Sequence, residues 1–160
     1  MHMVYHVASE TMPVKLLAQV RVLQREVFPG RFVDMKNYQH LVLVQKNGCI
    51  VGLAFVREHT PHTARTLECL CVHPSHQRKG IATSILDYTV KELSDLPMAL
   101  HVNSGYRHKE LVEFYTKRGF ELVYTDDEES MLCTPRSDGS LVLRDEYARL
   151  HTRTCAFKTV

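Results

Sequence analysis

The sequence predicts an α/β fold in a single domain, with ten elements in the order β-α-β-β-β-α-β-α-β-β. Apolar residues recur at helical spacing in three stretches, and short β-rich runs lie between them. Gly, Pro and Asn punctuate most of the junctions. At 160 residues, 44% apolar and 24% charged, the chain can bury one sizeable core.

Val4 to Ala8 predicts a first strand. Thr11 is the expected N-cap of the first helix, with Pro13 in its first turn. Leu16, Val20, Leu23 and Val27 then mark one helical face, ending near Phe28-Pro29-Gly30. Arg31 to Gln39 reads as an irregular connection. His40 to Gln45 and Cys49 to Arg57 are β-rich, and Lys46-Asn47-Gly48 between them signals a hairpin. A polar loop with Pro61 leads to a strand over Thr66 to Val72. Ile81, Ile85, Leu86, Val90 and Leu93 give the helix from Gly80 to Ser94 a wide apolar stripe for packing on a sheet. Asp95-Leu96-Pro97 stops it, and a strand over Met98 to Val102 and a turn at Asn103-Ser104-Gly105 follow. His108 to Arg118 predicts a third helix, closed by Gly119. Strands over Phe120 to Thr125 and Glu129 to Cys133 flank an acidic loop, Asp126-Asp127-Glu128-Glu129. Residues 134–160 form a C-terminal extension with a turn at Pro135 to Gly139, a short strand at Leu141 to Leu143 and a helical turn at Arg144 to Leu150.

Composition narrows the function. Twenty basic against 18 acidic residues leave a net charge of +2, too little for a dedicated nucleic-acid binder. No apolar run reaches the ~18 residues of a membrane span. The first six residues have neither the charged nor the apolar region of a secretory signal, so a cytoplasmic location is expected. Five cysteines without a C-x-x-C pair, and ten scattered histidines, carry no metal-ligand spacing. No metal is expected, and Cys69 and Cys71, two apart on a strand, read as small buried thiols.

Leu67 to Lys91 is the stretch with chemistry in it. A strand ends at Val72, His73-Pro74 turns, and Gln77-Arg78-Lys79-Gly80-Ile81-Ala82-Thr83 opens into a helix. Amides of a first helical turn have no intrahelical partner and sit at the positive end of the helix dipole, which suits a phosphate. Arg78 and Lys79 add positive charge, and Gly80 lets the backbone approach a ligand. Neither the P-loop pattern nor G-x-G-x-x-G is present.

Gln77-x-x-Gly80-x-Ala82 after Val72-His73-Pro74 resembles the acyl-CoA pyrophosphate loop of the GNAT superfamily of N-acetyltransferases. Phe114-Tyr115-Thr116-Lys117-Arg118-Gly119-Phe120 resembles that family's later Tyr-x-x-x-Gly-Phe element, in the family's order and at about its spacing. The resemblance covers Val4 to Cys133. It implies a mixed, mostly antiparallel sheet of six to seven strands with helices on both faces and strands four and five splayed. It also implies acetyl-CoA as acyl donor, gripped by the backbone of Gln77 to Thr83. The backbone of Leu70, Cys71 and Val72 would pair with the pantetheine arm, an N–H near Val72 serving the thioester oxygen. His108 stands where the family often has a pantetheine-holding Asn, and Lys117 falls among the cofactor contacts. The turn after Val102 is longer than the family's, a second departure.

Acyl transfer to an amine needs a proton acceptor for the nitrogen and a donor for the leaving thiolate. Glu68 is the first candidate acceptor, since a carboxylate within Leu67-Glu68-Cys69-Leu70-Cys71 must be paired, raised in pKa or functional. On strict alternation it shares a face with Thr66, Leu70 and Val72. His101, in Leu100-His101-Val102, resembles the histidine of protein N-terminal acetyltransferases and is the competing base, with water a third option. Tyr115 is the candidate acid; helical spacing with Leu111 equally describes a core aromatic. The resemblance places Phe28, Phe32 and Tyr38 beside the acceptor, and core packing is the other reading of each. Asp126, Asp127, Glu128 and Glu129 would concentrate a cationic amine, or form a solvated charge run.

The sequence therefore predicts an acetyl-CoA-dependent N-acetyltransferase acting on a primary amine of a small molecule, polyamine-like or otherwise cationic, by direct transfer in a ternary complex. A protein or peptide N-terminal acetyltransferase is the rival within enzymes, and an acyl-CoA-binding sensor or interaction module the rival outside them. No nucleic-acid or membrane partner is expected, and the protein is expected to be a monomer or homodimer.

Overall fold

The computed structural model describes residues 2–30, 38–58, 64–105 and 107–142. In chain order the main elements are β1 (His2–Ala8), α1 (Val14–Val27), β2 (His40–Lys46), β3 (Cys49–Glu58), β4 (Arg65–Val72), α2 (Ile81–Glu92), β5 (Met98–Asn103), α3 (His108–Thr116), β6 (Glu121–Thr125) and β7 (Glu129–Cys133). The strands form one seven-stranded sheet in the order β1-β2-β3-β4-β5-β7-β6. β1–β2, β2–β3, β5–β7 and β6–β7 are antiparallel, whereas β4 and β5 run parallel. This is the mixed, mostly antiparallel sheet that the sequence implies. The parallel ladder is only two residue pairs long, Arg65 with Met98 and Thr66 with Ala99, the truncated pairing of splayed strands.

The described residues fall into two compact units. The first comprises residues 2–30, 38–57 and 68–91. Its β2–β3 hairpin turns at Asn47 and Gly48, with φ of 52° and 79°. Both values are left-handed, as a two-residue hairpin turn that matches strand twist requires. Leu41 to Val44 and Ile50 to Val56 are buried over consecutive positions, so both faces of these strands are covered. Gly52 marks where α2 comes closest to the sheet. A Cβ there would lie 2.9 Å from Ile85 Cδ1 and 3.0 Å from Ile81 Cγ2.

One expectation fails in this unit. Thr11 does not cap α1; its Oγ1 donates to Ala8 O at 3.0 Å within a 3-10 turn over Ser9–Thr11. Pro13 occupies the cap position without a side-chain bond, and its carbonyl accepts from Leu17 N. Proline has the right φ for this junction, so no polar cap was needed.

The second unit comprises residues 58, 64–67, 92–105 and 107–142. Buried Arg65 clamps it at the start of β4. Its guanidinium donates to Glu58 at 3.0 Å, to Asp95 at 2.6 and 3.2 Å, and to Leu93 O at 3.2 Å. Arg65→Met is expected to cost about 2 kcal/mol, the figure for charge-assisted hydrogen bonds discounted because Asp95 is exposed. Urea unfolding followed by circular dichroism checks this.

Helix α3 lies against β5, β6 and β7. It ends as its sequence dictates. Phe120 N donates to Tyr115 O at 3.2 Å and Gly119 N to Thr116 O at 3.3 Å, with Gly119 at φ 95°. These are the 6→1 and 5→2 bonds of a Schellman cap, whose usual apolar contact is made by Tyr115 and Phe120 ring to ring at 5.8 Å. Leu141 and Val142 form no strand, a correction to the sequence reading; Val142 instead packs with Ala64, Ala99, Met131 and Cys133. The predicted helical turn at Arg144 to Leu150 lies outside the described residues.

Candidate functional site

The loop that the sequence predicts to bind phosphate is built within the first unit. His73 leaves β4 with its N–H bonded to Val51 O at 2.8 Å and starts a 3-10 turn over Pro74–His76. Its ring Nδ1 accepts from Ser75 N at 3.1 Å, and its Nε2 meets Glu26 of α1. Gln77 Nε2 donates to Val72 O at 3.1 Å, folding the loop back onto the end of β4. Arg78 and Gly80 are left-handed, at φ 61° and 79°, and α2 begins at Ile81. The first helical bond is Ser84 N to Gly80 O at 3.0 Å, so the amides of Ile81, Ala82 and Thr83 precede the helical ladder. Left-handed turns before an open helix end make an anion-binding concavity. Gln77 to Gly80 are exposed, so a ligand can reach it. His76 reports the local field: its proton affinity is lowered by burial and then by Lys46, Lys79 and His73. These features fit the pyrophosphate of an acyl-CoA.

Beside the loop, β4 carries Glu68. Cys69, next along, has φ 58°, which interrupts extended backbone inside the strand. Strict alternation therefore fails there, and the expectation that Thr66, Glu68, Leu70 and Val72 share a face is corrected. Leu70, Cys71 and Val72 are buried to within 2% of full coverage, which leaves their backbone rather than their side chains to interact with a ligand. Burial pushes the Cys71 thiol up to about 12, so it is inert at neutral pH. Among the described residues, no group of three or more His, Cys, Asp or Glu is placed to hold a metal.

Glu68 is buried and has partners from two other segments. Tyr38 hydrogen-bonds to its carboxylate, and Arg57 Nη2 lies 3.6 Å from Oε2. Arg57 also sits over the Tyr38 ring at 5.3 Å, and that ring packs against Phe55 at 4.8 Å. Burial raises the carboxyl above its ordinary value, and Tyr38 and Arg57 partly offset this. The result is a carboxylate more basic than usual with its orientation fixed. Tyr38 thus has a definite role at Glu68. Phe28 is buried, and Phe32 lies outside the described residues.

The second unit holds the remaining candidates. Tyr115 is buried between Phe114 and Phe120, with edge-to-face centroids at 5.2 and 5.8 Å. Lys117 is exposed at the end of α3. His108 Nε2 is 2.7 Å from Ser130 Oγ, which in turn meets Thr125 Oγ1 at 2.9 Å, so this ring is tied to β7. His101 Nε2 meets Glu129 Oε2 at 2.9 Å, and Tyr124 Oη donates to the same oxygen at 2.8 Å. Glu129 is therefore no loop acid: it is 1% exposed in β7, and the exposed acidic set shrinks to its neighbours. Asp126 Oδ1 accepts from the Glu128 and Glu129 amides, shaping the turn, while Asp127 and Glu128 face solvent.

Sequence reasoning missed Arg57 and Tyr124. Arg57 ends an apolar strand run and Tyr124 reads as an ordinary strand aromatic; only the tertiary pairing shows what each touches. The side-chain work of Gln77 was equally invisible.

Residues 10–133 match the family model described as Acetyltransferase (GNAT) domain. No curated protein sequence matches the chain. Among solved structures, Escherichia coli ElaA superposes with a TM-score of 0.68 at 16% identity, covering 84% of this chain and 99% of that one. Arabidopsis thaliana Naa50, solved with the bisubstrate analogue CoA-Ac-MVNAL, gives 0.64 at 20% identity, covering 82% and 97%. An aminoglycoside 6'-N-acetyltransferase complexed with coenzyme A gives 0.65 at 17% identity, covering 81% and 96%. At these identities the likeness speaks to the fold.

Proposed function

The chain belongs to the GNAT family of acetyltransferases, with acetyl-CoA as acyl donor, and from that premise we propose that it acetylates the primary amine of a small molecule by direct transfer in a ternary complex. The observation that carries this reading is buried Glu68, made more basic by burial and held by Tyr38 and Arg57. Bound acetyl-CoA supplies an activated acyl group. The backbone from Gln77 to Thr83 holds its phosphates, and that of Leu70 to Val72 aligns the pantetheine arm. His108 and Lys117 are further proposed contacts of the cofactor. Glu68 accepts the amine proton, directly or through water, and the Tyr115 phenol returns a proton to the departing sulfur. Asp127 and Glu128 favour a cationic acceptor, polyamine-like in charge. Phe28 and Tyr38 shape the apolar side of the acceptor site. The whole chain acts as one catalytic domain, cytoplasmic, as monomer or homodimer.

The test is release of free CoA thiol from acetyl-CoA across a panel of polyamines, monoamines and a Met-led peptide. Release with amines and not with the peptide is expected. Tyr115→Phe should lower kcat by about 10²-fold with KM for acetyl-CoA unchanged; an equal fall in cofactor affinity would make Tyr115 a packing residue.

One observation favours a second reading, a peptide α-amine acceptor. His101, in its Leu-His-Val context, is held by a buried carboxylate. Turnover of the peptide in preference to the small amines would select it. No thiol release with any acceptor would instead point to an acyl-CoA-binding module.

A further inference from the structure

Glu26 of α1 reaches the turn that follows β4, and both lie in the first unit. Its carboxylate meets His73 Nε2, while the other ring nitrogen, Nδ1, accepts from Ser75 N at 3.1 Å. A carboxylate only accepts and a backbone amide only donates, so the two contacts together assign the ring. The arrangement is that of the neutral Nε2–H tautomer, with the lone pair on Nδ1. The Ser75 hydroxyl lies 2.7 Å from the same Nδ1 and 2.8 Å from His76 Nδ1. A lone pair on His73 draws the hydroxyl hydrogen, which leaves the oxygen to accept from His76 Nδ1–H. Donation therefore runs one way, from His76 through Ser75 and His73 to Glu26.

Two features set Glu26 apart from an ordinary surface charge. It stands in the last turn of α1, where the helix dipole disfavours a carboxylate. Its side chain is 49% exposed and that of His73 31%, so as an ion pair the two add little to stability. What the contact controls is direction. His73 N is fixed on Val51 O of β3, and Nδ1 closes the 3-10 turn over Pro74–His76, but the ring can rotate unless its far side is held. That turn delivers the chain to Gln77 and to left-handed Arg78 and Gly80.

We propose that Glu26 is a positioning residue for acetyl-CoA binding: by holding Nε2–H of His73 it aims Nδ1 at Ser75 N, and so keeps the loop after β4 in its binding shape. This rests on the reading of residues 77–83 as the acetyl-CoA loop, and extends it to a helix that carries none of those residues. It also sets a sign. A carboxylate close to the loop repels bound phosphates, so if Glu26 acted through charge alone its removal would tighten binding. Acting through His73, its removal weakens binding.

The test combines NMR of ring nitrogens and amides with calorimetry of acetyl-CoA. The neutral His73 ring, assigned by its loss in H73N, should carry its hydrogen on Nε2. In E26A, exchange of the Ser75 amide hydrogen should speed up and acetyl-CoA affinity should fall, each by about 3–10-fold, the worth of one hydrogen bond. The melting temperature should hold, because an exposed pair contributes little to it. E26Q offers Nε2–H an amide oxygen without the charge, and should bind at least as tightly as wild type. In H73N the asparagine Oδ1 can accept from Ser75 N but does not reach Glu26, so E26A in that background should add no loss. An Nδ1–H ring in the wild type, an E26A protein that binds as well as wild type or better, an E26Q protein as weak as E26A, or an equal loss in the H73N background would each overturn the proposal. A wild type that gives no heat with acetyl-CoA would instead sink the reading of the loop, and the ring and amide measurements would then decide by themselves whether Glu26 holds the turn.

Discussion

Glu68→Gln is expected to lower kcat by about 10²–10⁴-fold, the usual span for losing a general base, with KM for acetyl-CoA unchanged. The substitution preserves the volume and the hydrogen bond with Tyr38 but removes the proton acceptor. Its effect on stability should run the other way. Burial raises the folded carboxyl pKa above the ordinary 4.5, with Tyr38 and Arg57 opposing. A raised carboxyl pKa means that the folded state binds this proton more tightly than the unfolded chain. Its contribution is full below the unfolded pKa and is lost as pH rises through the folded one. At pH 8 the charged carboxylate is therefore a burden on the fold, and glutamine should melt no lower than wild type. The acidic limb of kcat should lie above pH 4.5 in the wild type. In Arg57→Met it should move to higher pH, because the loss of the guanidinium removes an influence that lowers the pKa. An E68Q enzyme that keeps full kcat would remove Glu68 from the chemistry and leave His101 or water as the base. An R57M profile shifted to lower pH would overturn the electrostatic account of this cluster.

The contrast between Glu68 and its surroundings shows what a single sequence discloses. The strand around it and the loop after it were legible because local rules govern them. Asn47-Gly48 demands a left-handed pair, Gly80 a left-handed turn, and Ile81, Ile85 and Leu86 a buried helix face. The Tyr115 element was legible for a reason other than chemistry. Its spacing is that of a Schellman cap, with Tyr115 and Phe120 supplying the apolar contact and Gly119 the left-handed residue. The motif therefore fixes the ring's position by folding physics and leaves the role of the phenol to be measured.

What could not be read depends on partners distant in sequence or on one backbone angle. Nothing in Cys69 announces φ 58°, since cysteine has no preference for that region. That one residue overturned the assignment of strand faces. Glu129 looked like the last of four loop acids, and only the pairing of β5 with β7 reveals it as a buried partner of His101. Charge runs are read as solvated by default, so a carboxylate at the first position of a strand is easily misplaced.

Gly52→Val is expected to have the second large effect, and it joins the fold to the phosphate loop. The Cβ alone would come within 2.9 Å of Ile85 Cδ1, 3.0 Å of Ile81 Cγ2 and 3.3 Å of Cys71 O. The two isoleucine contacts are flexible side-chain ends, but the carbonyl belongs to the neighbouring strand and cannot turn away. Valine adds two methyl groups to that crowding, and overpacking of this kind costs about 1–3 kcal/mol. Relief is easiest if the first turn of α2 lifts from β3, because Ile81 and Ile85 are the helix residues in the way. Ile81 is also the first helical residue after Gly80, and its amide belongs to the set proposed to hold the phosphate. The strain should thus appear twice, as a lower melting temperature and as weaker acetyl-CoA binding by calorimetry, while the ratio of turnover between acceptors stays constant. Gly52→Ala should show both effects in smaller measure. A valine variant that melts early yet binds acetyl-CoA with wild-type affinity would mean that the loop holds its shape independently of the helix seat, and the cradle would then owe its geometry to Gln77 and His73 alone.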